Sequence, residues 1–326
     1  MPDLRSCLQA AKARRRILFE STATTAFRAV NGAGDGSLLA PFTLDWLAGV
    51  GVLNLYQSLP EAYESELVAA VVEVFQPRAV YLKRRPREAR VAATVQREHL
   101  APEGPVFGEP APEVKVLESG RVFTLRPGSG LGTGLYLDMR DARTFLGARV
   151  SGRRVLNTFA YTCAFGVVTT LGGAERVLNL DASRRVLDWG ITNYRANGLR
   201  PQRQDFVSGD VFDWLGRFAR RTETFGIVIL DPPSFATVNG RRFSAAVDYA
   251  RLVSLAAPVV SPGGWLVAAC NHAGLSRPAF HSQLREGLKF ARRGWNLVQT
   301  FGQPSQDFPE PGEAEGRLKV AVLEIE

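Results

Sequence analysis

Cysteine is scarce in this sequence, and its scarcity argues against two kinds of structural site. Cys7, Cys163 and Cys270 are the only thiols among 326 residues, and they lie far apart with no paired spacing. Zinc sites and disulfide frameworks both need regularly spaced cysteines. We therefore expect no metal site and a reducing compartment.

Long apolar runs are absent as well. The most apolar stretch, residues 252–275, is interrupted by Pro258 and by Pro262-Gly263-Gly264, so it cannot form the single helix of about 20 residues that spans a bilayer. The first sixteen residues end in a basic cluster without an apolar segment behind it, which excludes a secretory signal. We expect a cytoplasmic protein that does not contact a membrane.

Lysine is rare, whereas arginine is abundant. Arginine supplies 35 of the 40 basic residues, and the chain carries a formal net charge of +8. Because planar guanidinium groups suit phosphate, nucleic acid is the expected partner. A GC-rich genome that favours arginine codons would equally explain the preference over lysine, although not the net positive charge.

The chain is longer than one typical domain and shows an α/β pattern. We predict a basic helix over residues 1–20, a small α/β domain of RNA-binding type over 21–100, a proline-rich linker with a β-hairpin over 101–130, and a Rossmann-like domain over 131–326. In the last region strands alternate with helices, which predicts a mostly parallel seven-stranded sheet. Its predicted strands are 155–159, 177–180, 205–208, 225–230, 265–269, 295–301 and 318–325.

Acidic residues follow three of these strands. The loop from Asn157 to Gly166 has one glycine where a dinucleotide fingerprint needs three. Asp181, Asp210 and Asp231 stand at strand ends, where carboxylates can accept ribose hydroxyls or an adenine amino group. We interpret them as a crevice for a nucleoside without pyrophosphate, which S-adenosylmethionine fits. Aspartates at strand ends also commonly cap the following helix, and for each one taken alone that alternative stays open.

A second group of residues combines an acid with a thiol. Asp231-Pro232-Pro233 follows the apolar run 225–230, and Cys270 follows the run 265–269. We expect both at the same sheet edge, since α/β proteins keep their sites there. A strand that ends in Asp-Pro-Pro presents a carboxylate and a rigid backbone with few donors. Because this tip suits a flat nucleobase, we predict methyl transfer to a pyrimidine ring.

Several ordered motifs carry a resemblance to a known family. They are Thr25 to Gly32 with Asp35-Gly36, Gly134 to Arg140, Asn157 to Gly166, Asp231-Pro232-Pro233, and Cys270. In this order they resemble the bacterial 23S ribosomal RNA large subunit methyltransferase I family, whose members are S-adenosylmethionine-dependent cytosine-5 methyltransferases of the class I fold. The likeness extends from about residue 10 to the C-terminus.

The resemblance implies a set of cofactor-binding residues. The expected contacts of S-adenosylmethionine are Arg140, Phe159, Tyr161, Thr162, Asp181, Ser183, Asp210, Val211 and Asp231. Two positions depart from the family pattern, because Cys163 stands where glycine is usual and Met139 where glutamine is usual. The family also begins with an RNA-binding PUA domain, and this chain starts where that domain would end, so we expect other surfaces to capture the substrate.

Cys270 occupies the thiol position that the resemblance implies. Carbon 5 of cytosine becomes nucleophilic once a thiolate adds to carbon 6, and an acid near ring nitrogen 3 stabilises the charge that develops. We assign Cys270 to the addition and Asp231 to nitrogen 3. A lone cysteine is also a common packing residue, and Cys163 is a rival thiol. His272 either assists thiolate formation or lies exposed in the loop.

Basic clusters predict phosphate contacts to ribosomal RNA, which position the RNA without reading its sequence. The predicted contacts are Arg14, Arg15, Arg16, Lys83, Arg84, Arg85, Arg241 and Arg242. Arg241 and Arg242 follow Asp231-Pro232-Pro233, where the substrate backbone would pass. Most charge runs are solvated faces, and that interpretation stays open. Monomer and homodimer are both compatible with the sequence.

Two other functions stay open. Asp-Pro-Pro followed by an aromatic residue also resembles the motif of methyltransferases that act on amino groups of nucleobases and need no cysteine. Phe235 lies one residue further from the prolines than that motif prefers. The other alternative is a non-catalytic RNA-binding protein that kept the fold and lost its cofactor. Methyl transfer by Cys270→Ala tests the first alternative, and calorimetry with S-adenosylmethionine tests the second.

Overall fold

The computed structural model describes residues 3–85, 97–238, 240–311 and 316–326. The chain divides into two compact units, one comprising Met1–Leu137 and Pro304–Ala314, the other Asp138–Gln303 and Glu315–Glu326. Residues 304–314, which fall within the predicted region 131–326, cluster with the first unit. Asp307 ties them there, because its carboxylate accepts the backbone N–H of Arg28 and its carbonyl accepts a hydrogen bond from Arg15.

The first unit contains a five-stranded mixed sheet, a separate hairpin and short helices. Its strands are Ala26–Asn31 (β1), Phe42–Leu47 (β2), Val50–Leu55 (β3), Ala79–Arg84 (β4), Phe107–Gly108 (β5), and the hairpin pair Val114–Glu118 (β6) and Arg121–Leu125 (β7). Its helices are Leu4–Arg14 (α1), Arg16–Phe19 (α2), Glu61–Phe75 (α3) and Arg97–Leu100 (α4). The sheet follows chain order, and only β3 and β4 are parallel among its pairs, because α3 provides the crossover between them.

A buried ion pair lies in the first unit. The guanidinium of Arg15 is fully buried and donates to both carboxylate oxygens of Asp35 and to the carbonyls of Ala11, Arg28 and Asp307. These bonds occupy all five donors of the guanidinium. The predicted RNA contact of Arg15 is therefore wrong, since neither exposed surface nor an unused donor remains for a phosphate.

The second unit is the predicted Rossmann-like α/β fold with a seven-stranded, mostly parallel sheet. Its strands are Arg154–Thr158 (β8), Arg176–Asp181 (β9), Phe206–Ser208 (β10), Phe225–Leu230 (β11), Phe235–Val238 (β12), Arg241–Ser244 (β13), Val260–Cys270 (β14), Trp295–Phe301 (β15) and Lys319–Ile325 (β16), of which β12 and β13 form a separate hairpin. Its helices are Arg140–Gly147 (α5), Ala164–Leu171 (α6), Arg184–Ala196 (α7), Val211–Arg220 (α8), Tyr249–Ala256 (α9) and Arg277–Phe290 (α10).

The predicted strands of this sheet agree with the observed ones within one residue, apart from β14. We expected that strand to begin at Trp265, after a turn, whereas it begins at Val260. Val260 pairs with Phe225 and Trp265 with Ile227, so the residues between them form a bulge inside the strand. The proline and glycines that suggested a turn accommodate this bulge.

Five neighbouring strands run parallel in the order β10, β9, β8, β11, β14. The chain passes from β8 outward to β9 and β10, and then returns to β11 on the other side of β8. At such a switch point the loops after the two central strands diverge and leave a crevice beyond their carboxyl ends. Strand β16 is antiparallel to both of its neighbours, β14 and β15.

Apolar clusters cover both faces of the sheet. Val228 and Leu230 pack in a cluster with residues of α8, α9 and α10. Ile227 and Ile229 pack in another with Leu146 of α5 and Phe165 of α6. Burial on both faces explains why the strand sequences are almost continuously apolar. Within the described ranges, no helix combines the length and the apolar character needed to cross a bilayer.

Replacement of Arg15 by alanine should lower the free energy of unfolding by about 3–5 kcal/mol, because the buried Asp35 carboxylate would lose both hydrogen bonds from Arg15. The Nε of the exposed Arg14, 3.7 Å away, would remain as a cationic neighbour. Arg16→Ala is the matched control. The Arg16 side chain is 77% exposed and its nearest carboxylate contact, to Glu20, measures 3.9 Å, so a change within about 0.5 kcal/mol is expected. Urea denaturation measures both variants, and equally small effects would contradict this account.

Candidate active site

The predicted acids and the predicted thiol lie at one edge of the seven-stranded sheet. Asp181 ends β9, Asp210 follows β10, Asp231 follows β11 and Cys270 ends β14. These strands and β8 are parallel neighbours, so their carboxyl ends meet at the same edge. The loop that follows β8 lies in the middle of this row. The topology therefore brings Asp181 and Cys270, which are 89 positions apart in the sequence, to the same edge of the sheet.

The loop after β8 has an unusual backbone. Phe159, Tyr161 and Cys163 have φ angles of 52°, 48° and 59°, in the left-handed region that costs a residue with a Cβ about 1–2 kcal/mol. Such strain concentrates at functional sites. The φ angle of Cys163 is one that glycine would adopt without this strain.

Cys163 behaves as a packing residue. Its sulfur occupies the space that a side chain on Gly190 would need. Burial, and then the charge of Asp181, raises the pKa of Cys163 well above its ordinary value. The rival thiol is thus fully buried and protonated, which disfavours it as a nucleophile.

Asp181 is oriented by two backbone groups. The N–H of Tyr161 donates to one carboxylate oxygen and the N–H of Ser183 to the other, each at 2.9 Å. Burial raises the pKa of Asp181, while these two hydrogen bonds oppose the rise. Since a carboxylate has about four acceptor sites, Asp181 retains capacity for the two hydroxyls of a ribose.

Asp210 caps the helix that follows it. Its side chain accepts the backbone N–H of Phe212 at 2.8 Å, at the start of α8. The capping role that the sequence left open is therefore present, and a contact with adenine stays a prediction. Arg140, Thr162 and Val211, which we also predicted to contact the cofactor, are buried.

A buried polar network supports the loop after β8, and sequence reasoning missed it. Asn157 donates to Asn179 at 2.9 Å, and Asn179 donates to the hydroxyl of Tyr194 at 3.0 Å. Asn157 and Asn179 are register partners on β8 and β9. The signal was the same four residues, Arg-Val-Leu-Asn, in both strands. A side chain at Gly166 would overlap with Asn179 and Tyr194, so glycine is required there.

Tyr249 links the two strand ends that carry the acid and the thiol. Its hydroxyl donates to the carbonyl of Ala269 at 2.7 Å and lies 3.2 Å from the carbonyl of Leu230. These carbonyls directly precede Cys270 and Asp231. Burial raises the pKa of Tyr249 well above its ordinary value, so the hydroxyl keeps its proton and remains a donor. A single buried tyrosine gives no signal in the sequence that separates this role from packing.

Asp231 has a pKa close to neutral pH. Burial, and then the negative charge of Asp138, raises the pKa of Asp231 to about 7, while Arg143 opposes the rise. Asp138 in turn accepts a hydrogen bond of 2.9 Å from the side chain of Asn271, the residue after Cys270. A carboxyl with a pKa of about 7 at this strand end can supply a hydrogen bond or a proton to a ligand when it is protonated.

Cys270 is a buried thiol in a polar setting. It is 1% exposed, and burial raises its pKa, while the backbone N–H of His272 and the ammonium of Lys319 oppose the rise. Lys319 is the cross-strand partner of Cys270 on β16. It donates to the carbonyls of His272 and Leu275 at 3.0 and 2.7 Å, which fixes the loop after the thiol. Sequence reasoning missed Lys319.

The predicted RNA contacts of the first unit differ in exposure. Arg14 and Arg16 are exposed, whereas Lys83 is buried and donates to the carbonyl of Gly130. Burial, and then the charge of Arg85, lowers the pKa of Lys83 to about 8. The predicted phosphate contact of Lys83 is therefore wrong, because the ammonium has no surface to offer.

The remaining basic residues stay predicted RNA contacts. Arg84 is half-buried and pairs with Glu64 at 2.6 Å. Arg85 is half-buried and donates to the side chain of Asn54 at 2.9 Å. In the second unit, Arg242 is exposed on β13, and the side chain of Arg241 lies outside those that the structure describes.

Known proteins share both the sequence and the fold. Residues 11–319 match the model of a family described as S-adenosylmethionine-dependent methyltransferase. Ribosomal RNA large subunit methyltransferase I of Photobacterium profundum is 32% identical over 298 residues, which cover 91% of this chain and 73% of that protein. The protein of the same name from Aliivibrio fischeri is 30% identical over 297 residues, with 91% and 73% covered. Among solved structures, SMU.776, "a putative methyltransferase complexed with SAH", has a TM-score of 0.87 and 30% identity, with 98% and 80% covered.

The contribution of Asp231 to stability should fall as the pH rises from about 4 to about 7, because the fold holds a proton on this carboxyl that the unfolded chain releases. The fold raises the pKa of this carboxyl from 3.8 to about 7. Between these values the folded state binds the extra proton, so the free energy of unfolding decreases with pH there and the loss is complete above about pH 7.

Asp231→Asn removes this ionisation. The variant should match the wild type near pH 4 and exceed it by about 1–3 kcal/mol at pH 8, a value discounted for the partial exposure of Asp231. Denaturant titrations at both pH values measure the difference, with Asp188→Asn, an exposed carboxylate on α7, as the control. A variant that is no more stable than the wild type at pH 8 would contradict the assignment.

Proposed function

Since this chain belongs to the S-adenosylmethionine-dependent methyltransferase family, and within it to the ribosomal RNA large subunit methyltransferase I group, we propose that it forms 5-methylcytidine in large-subunit ribosomal RNA. The names of its relatives support the substrate. One observation carries the cytosine-5 part, namely that Cys270 and Asp231 stand at adjacent strand ends joined by the hydroxyl of Tyr249.

The crevice beyond β8, β9 and β11 suits S-adenosylmethionine. The loop after β8 has no glycine-rich cradle for phosphate, and this cofactor carries none. Asp181, with both oxygens oriented by backbone N–H groups, would accept the ribose hydroxyls. When bound, the cofactor supplies an electrophilic methyl group. We assign the adenosine contacts to Phe159, Tyr161, Thr162, Ser183, Asp210 and Val211, with Arg140 and Asp231 nearer to the reacting atoms.

Cys270 activates the cytosine ring. Its thiolate forms a bond to carbon 6, and the electron pair displaced from the carbon 5–carbon 6 double bond makes carbon 5 nucleophilic. Lys319 and the backbone N–H of His272 stabilise the thiolate. After carbon 5 has accepted the methyl group, a base, which we do not assign to a residue, takes the proton from carbon 5. The electron pair of that carbon–hydrogen bond re-forms the double bond, the carbon–sulfur bond breaks and the thiolate leaves.

Asp231 acts at ring nitrogen 3. When the thiolate adds, negative charge develops towards nitrogen 3 and the neighbouring carbonyl oxygen of the ring. A carboxyl with a pKa of about 7 is protonated in part of the molecules near neutral pH. It can then donate a hydrogen bond to that nitrogen directly, without a water molecule in between. Its neutral form also removes a charge that would disfavour the thiolate of Cys270.

Exposed arginines would bind the RNA backbone. Arg14 and Arg16 in the first unit and Arg242 on β13 are exposed, and we assign phosphate contacts to them together with Arg84, Arg85 and Arg241. Such contacts raise affinity without reading sequence. Affinity for RNA should therefore weaken as salt is raised.

Cys270→Ala should reduce methyl transfer to protein-free large-subunit ribosomal RNA by more than about 10³-fold, because Cys270 is the thiol that, among the described residues, stands at the strand end next to Asp231. Cys7→Ala, a half-buried thiol of the first unit, is the control and should keep wild-type activity. Mass spectrometry of RNA digests measures the product, and calorimetry with S-adenosylmethionine should show unchanged binding in both variants. Full activity of Cys270→Ala would instead favour transfer to an amino group.

A further inference from the structure

An exposed aromatic side chain lies beside the candidate active site. Phe235 begins β12, four residues after Asp231, and is 67% exposed. Isolated exposed apolar residues are common on protein surfaces, so exposure alone assigns no role. The surroundings of Phe235 in the same unit are what distinguish it.

Phe235 rests against a histidine from the other reactive loop. The ring centroids of Phe235 and His272 are 5.3 Å apart, with 67° between the ring planes. His272 follows Cys270 by two residues, and its Nδ1 accepts the backbone N–H of Gly274 at 3.1 Å. The imidazole is therefore held in place, and the pair joins the loop after Asp231 to the loop after Cys270.

The hairpin that carries Phe235 also carries positive charge. Phe235 pairs with Ser244, and Thr237 pairs with Arg242, whose side chain is exposed. An exposed ring and an exposed guanidinium on one two-stranded hairpin match the needs of single-stranded nucleic acid, which stacks its bases on aromatic rings and places its phosphates on cations.

We infer that Phe235, supported by His272, stacks with the base next to the target cytosine. This inference rests on the proposed function. The target cytosine must reach the sulfur of Cys270, which is only 1% exposed. Phe235 is two-thirds exposed, so we assign it to a different base. Chemistry on a base requires its removal from the stack, and the neighbouring base then loses a stacking partner that an aromatic side chain can replace.

Binding to in vitro transcribed large-subunit ribosomal RNA tests the inference without the need for turnover. Phe235→Ala should weaken binding about 10-fold or more, as expected for the loss of one stacked base. Phe235→Tyr should retain most of the affinity, whereas Phe235→Leu, apolar but without a flat ring, should resemble alanine. Phe290→Ala is the matched control, because Phe290 is 68% exposed on α10 of the same unit, and it should bind like the wild type.

A short RNA that spans the methylated cytosine, once mapped, locates the stacked base. The penalty of Phe235→Ala should vanish when one neighbour of that cytosine is replaced by an abasic nucleotide, and persist when the other is. Wild-type affinity and kcat/KM in Phe235→Ala, with a methylating wild type, would overturn the stacking role alone. Absence of methyl transfer by the wild-type protein would instead overturn the proposed function.

Discussion

The hydroxyl of Tyr249 is the constraint on which the proposed site depends. Strands β11 and β14 are parallel neighbours with Leu230 opposite Ala268. The proposed catalytic residues, Asp231 and Cys270, follow these two positions by one and two residues. At such ends backbone carbonyls lose their sheet partners and would be costly to bury. Tyr249 lies within hydrogen-bonding distance of one carbonyl on each strand. Tyr249 therefore links the two backbone positions that directly precede Asp231 and Cys270.

The acid and the thiol are coupled electrostatically as well as structurally. Burial, and to a smaller extent the negative charge of Asp231, raises the pKa of Cys270, so protonation of Asp231 favours the thiolate. The proposed catalytic state, a protonated carboxyl beside a thiolate, carries one negative charge instead of two. Lys319 favours the thiolate from the opposite side of β14. Burial raises the pKa of both groups because it disfavours their charged forms. Active sites commonly trade stability for activity in this way.

Sequence patterns predicted the sheet edge but not the contacts beneath it. The apolar runs, and the rule that carboxyl ends of parallel strands meet at one edge, were enough to place Asp181, Asp231 and Cys270 together. Tyr249 and Lys319 form hydrogen bonds to backbone carbonyls far away in the sequence. Every residue has such a carbonyl, so the residue types at those positions do not reveal the bond. The prediction for Arg15 was wrong for the same reason. A run of three arginines does not reveal that the middle one is buried and donates to the carbonyl of Asp307.

Covalent trapping tests the central claim most directly. In RNA that contains 5-fluorocytidine, a methylated carbon 5 has no proton to lose, so the bond between Cys270 and carbon 6 should persist. We predict a protein–RNA complex that survives denaturation, requires S-adenosylmethionine, and maps to the peptide of Cys270 by mass spectrometry. Efficient methylation of unmodified RNA without any trapped complex, or a complex through another residue, would contradict the account.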